Sequence, residues 1–295
     1  MTTASDAPIR LVEVGPRDGL QNESAPVPTD AKIAFVDQLS ASGLREIEVS
    51  SFVAPGWIPQ LDDAEAVFAG ITRRAGVRYT CLVPNQRGLA RAMTARVDGI
   101  SVFTAASETF ARKNINASIA ESIERFVPVV KESPVPVRGY VSTAFHCPFE
   151  GPIAPAAVLR VTLELLAIGC QEISLGDTIG RATTDEVGRL LDALLPRCPV
   201  ERLALHLHDT FGNAVANAEA GAARGISVFD GSTGGLGGCP YAPGAPGNVA
   251  TEALVAAFPG RTGVDRDVLV RAAGVIRPHL GRGGAAAGST GRSAK

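Results

Sequence analysis

Two histidines one residue apart, His206 and His208, sit in the run Leu205-His206-Leu207-His208-Asp209, whose apolar spacing is that of a β-strand. Alternation along a strand puts both imidazoles on one face, where two neutral ring nitrogens can share a divalent cation. The pattern alone serves equally well for a hydrogen-bonded core histidine beside a solvent-facing one. Asp18 lies far away in sequence, in Gly15-Pro16-Arg17-Asp18-Gly19, directly after another strand-like run. A carboxylate there is either a turn residue before Gly19 or a third donor to the same ion. Two imidazoles and a carboxylate form a mixed N/O set that suits Mg²⁺, Mn²⁺ or Zn²⁺ without choosing among them. A divalent metal is therefore the expected cofactor, with Mg²⁺ or Mn²⁺ the first to test.

Three further groups bear on the chemistry. Arg17 next to Asp18 is a cation that cannot lose its proton, suited to a developing enolate oxygen. Glu48 lies inside a strand-like run, where an unpaired carboxylate is costly, so it should meet a cation such as Arg17. Cys239 rides on Gly234-Gly235-Leu236-Gly237-Gly238-Cys239-Pro240-Tyr241-Ala242, where four glycines permit close approach. It is either an inert loop thiol or a general acid near the ion.

For these groups to meet, distant segments must share one rim. Eight strand-like runs alternate with helical stretches: Ile9–Val14, Glu46–Ser51, Val77–Val83, Gly99–Phe103, Val137–Thr143, Glu172–Leu175, Leu203–His208 and Ser227–Asp230. Helical periodicity marks Thr29–Ser42, with Thr29 or Asp30 as cap and Gly43 as stop, Ala156–Ile168 before Gly169, and Asp185–Leu195 before Pro196. Eight strand-then-helix units predict an α/β fold, a closed (β/α)₈ TIM barrel with a small C-terminal extension and a flexible tail. In such a barrel, active sites lie at the C-terminal strand ends. The polar residues expected there are Arg17 and Asp18, then Glu46, Glu48 and Ser50, then Gly176-Asp177-Thr178, and His206, His208 and Asp209. An open doubly wound sheet would call for a G-x-G-x-x-G turn after the first strand, and Gly15-Pro16-Arg17-Asp18-Gly19 is not one.

The 295 residues suit one such domain. Residues 1–280 are expected to form a single catalytic barrel with a helical extension, and the Gly-, Ala- and Ser-rich residues 281–295 a disordered tail. A net charge of −2 gives no footprint for nucleic acid, and no apolar run is long enough for a membrane span. Five cysteines without a C-x-x-C pair, and a start without the basic and apolar parts of a secretory signal, point to reduced thiols in the cytoplasm. Cys81, Cys147, Cys170 and Cys198 are taken as structural, and a homodimer is the expected assembly.

The combined motifs resemble the 3-hydroxy-3-methylglutaryl-CoA lyase family, one of the metallolyase barrels. They are Val12-Glu13-Val14-Gly15-Pro16-Arg17-Asp18-Gly19-Leu20-Gln21-Asn22-Glu23, Glu48 with Ser51-Phe52-Val53, Gly176-Asp177-Thr178-Ile179-Gly180, His206-x-His208-Asp209-Thr210, and Gly237-Gly238-Cys239-Pro240-Tyr241-Ala242. The resemblance runs from about Leu11 to the helix after Glu252. It implies Asp18, His206 and His208 as metal ligands and adds Asn248, in Gly247-Asn248-Val249-Ala250-Thr251-Glu252, as the fourth. It also implies that Arg17 contacts the acyl thioester, that Cys239 is the catalytic acid and that Glu48 stands near the arginine. The implied reaction is retro-Claisen cleavage of an acyl-CoA substrate to acetyl-CoA and acetoacetate, as in leucine degradation and ketone-body formation. His206, Asp18 or a coordinated water could take the first proton. A cysteine near the C-terminus serves redox control in animal members; Cys239 is the last here, so none is expected.

The sequence departs from the family at Ser232-Thr233-Gly234-Gly235-Leu236, where Ser-Val-Ala-Gly-Leu is usual, and at Leu207, Phe211 and Phe145-His146. These changes leave the acyl chain open, so a lyase for a longer or differently branched 3-hydroxyacyl-CoA is an alternative. A condensing synthase of the same barrel and a non-catalytic acyl-CoA-binding barrel are the others.

Overall fold

A computed structural model describes residues 7–24, 26–237 and 247–280. Eight parallel strands close on themselves: β1 (Arg10–Glu13), β2 (Glu46–Ser51), β3 (Arg78–Leu82), β4 (Gly99–Ala105), β5 (Val137–Ser142), β6 (Glu172–Asp177), β7 (Leu203–Leu207) and β8 (Val228–Gly231). Each pairs with its sequence neighbours. β8 returns to β1 through Arg10↔Val228 to Glu13↔Gly231, and β1 meets β2 at Glu13↔Ile47. The expected barrel is present, and each of the eight predicted runs overlaps a strand, three of which extend one or two residues further.

Helices follow the strands because their apolar stripes need a sheet to cover. Val36 and Leu39 of α1 (Thr29–Ser40) are completely buried and Ile33 packs beside them. Neither Thr29 nor Asp30 caps this helix. Pro28 holds the N-cap position, and the Thr29 hydroxyl donates instead to Asp63 Oδ2 at 2.7 Å. The helix Pro155–Ile168 ends on Gly169 at φ +115°, as its sequence predicts. The helix Thr184–Leu194 opens with a capping box between Thr183 and Glu186. The C-terminal extension is a helix, Arg266–Ile276, laid against α1. The tail expected at 281–295 lies outside the described residues, as does Cys239. A two-stranded ribbon, His146–Cys147 with Gly151–Pro152, follows β5 and has no counterpart in the periodicity.

The apolar core lies mostly between sheet and helices. Inside the barrel the apolar cluster is small, Val12, Val14, Ala204 and Val228, where most such barrels stack layers of branched side chains. Charges fill much of the rest. At the N-terminal end of the strands Glu46 accepts from Arg10 at 2.5 Å and from Arg78, and Glu172 pairs with Arg10 and, at 2.9 Å, with Arg138. This corrects the placing of Glu46 at the catalytic rim. It shares a face with Glu48 but begins its strand, at the opposite end of the barrel.

Candidate active site

At the C-terminal rim, β1 runs into a single wide helical turn, Gly15–Gly19, in which the amides of Arg17, Asp18 and Gly19 all point at the Val14 carbonyl, at 3.1, 2.7 and 3.2 Å. This turn lifts Arg17 and Asp18 together over the barrel mouth. Glu13 ties it down. Its Oε1 accepts from the amides of Gly15 (2.8 Å) and Thr233 (2.9 Å), and its Oε2 from the hydroxyls of Thr233 (2.6 Å) and Thr251 (2.7 Å). Burial nevertheless pushes Glu13 up to about 7.

Opposite the turn, residues 247–250 lie along the ends of β7 and β8. The Asp209 amide donates to the Gly247 carbonyl (2.7 Å), the Val249 amide to Leu207 (3.0 Å) and the Ser232 amide to Val249 (3.0 Å). Asn248 is thereby set beside Asp18, its Nδ2 donating to Asp18 Oδ2 at 2.8 Å and to the Leu236 carbonyl at 3.2 Å. Gly237 closes this corner. A Cβ there would stand 2.7 Å from Asn248 Nδ2, and its φ is +95°.

The structure thus brings together every predicted site residue that it describes. Asp18, His206 and His208 each offer a ligand atom, all within 4.8 Å of one another. The two imidazoles aim Nε2 at each other across 3.3 Å, an approach satisfied by a shared cation or a single shared proton. His206 Nδ1 meets Asp230 Oδ2 at 3.2 Å, whereas His208 Nδ1 is buried with no partner among the described residues. Burial first, then His206, pushes His208 down to about 4, so its ring is neutral and its lone pair free at neutral pH. Burial works against charge on Asp18, but Arg17 and then the histidines hold it well below the usual carboxylate range. One permanent anion and a neutral imidazole, with an amide beside them, fit a hard or borderline divalent cation.

Arg17 is 6% exposed. Its Nε donates to Glu48 Oε2 at 2.5 Å and its Nη1 to Asp18, so the expected Arg17–Glu48 pair is present. Against the cost of burial, these carboxylates keep the guanidinium above its ordinary value. Glu48 Oε1 also accepts from the Ser101 hydroxyl. Beneath them Tyr140 forms the floor. Arg17 (5.4 Å) and Arg138 (5.0 Å) both stand over its ring, which is nearly perpendicular to that of His206, and its hydroxyl accepts from Arg138 at 3.1 Å.

A cavity of about 170 Å³ opens over this floor, with Leu82, Phe103 and Phe110 opposite the polar groups. A larger one, about 270 Å³, lies at the other end of the barrel among Arg10, Glu46, Arg138 and Glu172. There the charges are spent on one another, so the smaller cavity is the site for chemistry.

Some polar residues of the rim face elsewhere. Asp177 turns into the loop after β6 and accepts from the amides of Arg181 (3.1 Å) and Ala182 (3.0 Å), with burial raising it to about 6. Asp209 accepts from the Ala214 amide at the start of the helix Ala214–Ala222. Residues not foreseen as parts of the site are Tyr140, Arg138, Ser174, Asp230 and Glu13. Cys81, Cys147, Cys170 and Cys198 are free and buried, in keeping with a structural role.

Fold and site together define a (β/α)₈ barrel whose mouth can hold a divalent cation beside a fixed arginine. The chain belongs to the HMGL-like family, whose model matches residues 8–273. A Pseudomonas aeruginosa protein named 3-hydroxy-3-isohexenylglutaryl-CoA/hydroxy-methylglutaryl-CoA lyase is 51% identical, over 93% of each chain. The crystal structure of the HMG-CoA lyase from Brucella melitensis superposes with a TM-score of 0.91 at 49% identity, covering 92% of this chain and 98% of that one. An HMG-CoA lyase from Acinetobacter baumannii, solved in complex with coenzyme A and 3-methylmalate, is 39% identical with a TM-score of 0.86, covering 94% and 93%.

Proposed function

We propose that this protein is a carbon–carbon lyase that cleaves 3-hydroxy-3-methylglutaryl-CoA to acetyl-CoA and acetoacetate. The observation that carries the reading is the convergence of Asp18, His206 and His208 beside a buried Arg17–Glu48 pair at the barrel mouth. Membership of a lyase family, and relatives named for this reaction, support it.

Asp18, His206, His208 and Asn248 would hold a divalent cation, Mg²⁺ or Mn²⁺. Such an ion supplies acidification of the substrate's tertiary hydroxyl and neutralises charge on its carboxylate. Of the candidate bases, Asp18 keeps a second carboxylate oxygen with which to take that hydroxyl's proton, whereas both His206 nitrogens are committed, Nε2 toward the cation and Nδ1 to Asp230. Breaking the C2–C3 bond then turns the hydroxyl carbon into the ketone of acetoacetate and leaves the electron pair on the acetyl-CoA enolate. Arg17, kept charged and fixed by Glu48, stabilises the enolate oxygen. Cys239 returns a proton to the enolate carbon and completes the balance. One catalytic domain over residues 1–280 is sufficient for this chemistry.

The longer isohexenyl substrate in the name of the P. aeruginosa relative favours one second reading, a lyase for a larger branched acyl group. Acetoacetate release from 3-hydroxy-3-methylglutaryl-CoA with Mg²⁺, beside a panel of longer 3-hydroxyacyl-CoA esters, decides between them. Cys239→Ala and His206→Ala should each abolish most turnover. Activity only in the direction of condensation, or ligand binding with no turnover at all, would overturn the proposal. No helix among the described residues is long and apolar enough to cross a membrane. The free buried thiols support a reducing compartment, read here as the cytoplasm. Light scattering tests for the dimer.

A further inference from the structure

Asp230 and His206 are register partners on neighbouring strands, β8 and β7, so their side chains enter the barrel at the same depth. The carboxylate is completely enclosed. Three groups converge on it: His206 Nδ1 on Oδ2 at 3.2 Å, the Ser174 hydroxyl on Oδ2 at 2.9 Å, and Arg138 Nη2 on Oδ1 at 2.6 Å. Arg138 is in turn held by Glu172 at 2.9 Å. The guanidinium can only donate, and a carboxylate can only accept, so the hydrogen bond to the imidazole requires the proton on Nδ1. That leaves the Nε2 lone pair toward Asp18 and His208. His208 has no such carboxylate: its Nδ1 meets no described residue, and only the Nε2 contact with His206 bears on its tautomer.

We infer that Asp230 is the positioning residue of the metal site, locking His206 as the Nδ1–H tautomer with Nε2 presented to the cation, with Ser174 and Arg138 holding Asp230 in place. This rests on the metal-site reading above. It makes His206 the preset ligand and His208 the one that adjusts. A carboxylate behind an imidazole ligand fixes both tautomer and ring orientation, and its loss typically weakens metal binding about 10- to 100-fold.

Asp230→Asn keeps the shape and reverses the instruction. The amide oxygen must turn to Arg138, because the guanidinium cannot accept. The NH₂ group then faces the Ser174 oxygen, which can accept, and His206 Nδ1, which now must. The ring proton moves to Nε2 and points at the ion.

The chain has four histidines, so ¹⁵N-histidine labelling gives few signals, assignable with His146→Gln, His279→Gln and His208→Gln. Metal-free wild type should show His206 protonated at Nδ1, and Asp230→Asn should show it protonated at Nε2. Mn²⁺ binding, followed by the electron paramagnetic resonance of the free ion, should weaken by about 10- to 100-fold in the variant. A buried ion pair serving stability alone would lower the melting temperature without moving the tautomer. Should Asp230→Asn fail to fold, the wild-type spectrum still decides, since a proton on Nε2 of His206 overturns the proposal. Equal Mn²⁺ affinity in a folded variant overturns the positioning role alone. A wild type that binds no Mn²⁺ overturns the metal site, and this role with it.

Discussion

Glutamine at position 13 should be a better residue than the glutamate at alkaline pH. The four contacts of Glu13 divide unevenly between its oxygens: Oε1 meets two backbone amides, of Gly15 and Thr233, and Oε2 meets two hydroxyls, of Thr233 and Thr251. Amides can only donate, while hydroxyls can reverse and accept. A protonated glutamic acid therefore fits with its proton on Oε2, and a glutamine fits with its nitrogen in the same place. Burial holds the folded value near 7 against an ordinary 4.5, so the unfolded chain loses this proton first. Stability from this group is full below about pH 4.5, falls as pH rises to about 7, and is level above that. At 1.36 kcal/mol for each tenfold step the window is worth about 3 kcal/mol. Urea unfolding of wild type and Glu13→Gln at pH 5 and pH 8 measures it. The variant should be within about 1 kcal/mol of wild type at pH 5 and more stable by about 2 kcal/mol at pH 8. Glu13→Ala strands all four donors and should cost about 3 kcal/mol or more at pH 5. Parallel wild-type and Glu13→Gln curves across this range, or a glutamine as costly as the alanine, would refute the reasoning.

Three further outcomes follow from the same geometry. Glu48→Ala leaves Arg17 with Asp18 alone among its carboxylates and frees the Ser101 hydroxyl, so unfolding should become easier by about 3–5 kcal/mol and turnover should collapse, read by calorimetry and by acetoacetate release. Gly237→Ala puts a methyl group against Asn248 at a positive φ, at about 1–3 kcal/mol of strain; the barrel should still fold, with Mn²⁺ affinity lowered several-fold by titration. Chelation should stop turnover reversibly, and adding Mg²⁺ or Mn²⁺ at a hundred times its Kd should stabilise the protein by about 2.7 kcal/mol in thermal melts.

What the sequence revealed and what it hid have physical causes. Alternation of apolar residues depends on one strand at a time, so eight strands and the shared face of His206 and His208 were legible. Period two tells which side of a sheet a residue faces and nothing of its depth, which is why Glu46 was grouped with Glu48 although it lies one layer deeper, where the strand begins. Buried charges such as Arg138 and Asp230 look unremarkable in isolation. Only the closure of the barrel supplies the partner that makes burial tolerable, 92 residues away. Asn248 depends on backbone bridges from residues 247–250 to β7 and β8, which leave no periodic trace, and only the family resemblance pointed to it. The ribbon at His146–Pro152 is too short for any period.

The charged barrel interior has a consequence for how this protein can change. From Arg78 and Glu46 at one end, through Arg10, Glu172, Arg138 and Asp230, to His206 at the other, each group is the counterion or hydrogen-bond partner of the next. In an apolar interior one methyl group can be traded at a time. Along the enclosed stretch from Glu172 through Arg138 to Asp230, a single neutralising substitution abandons a neighbour in a medium that solvates it poorly, so viable changes there must come in matched pairs. Drift in the lining is thus strongly epistatic. New acyl specificity is reached more readily through uncharged positions at the cavity wall, such as Leu82, Phe103 and Phe110, which can vary one by one.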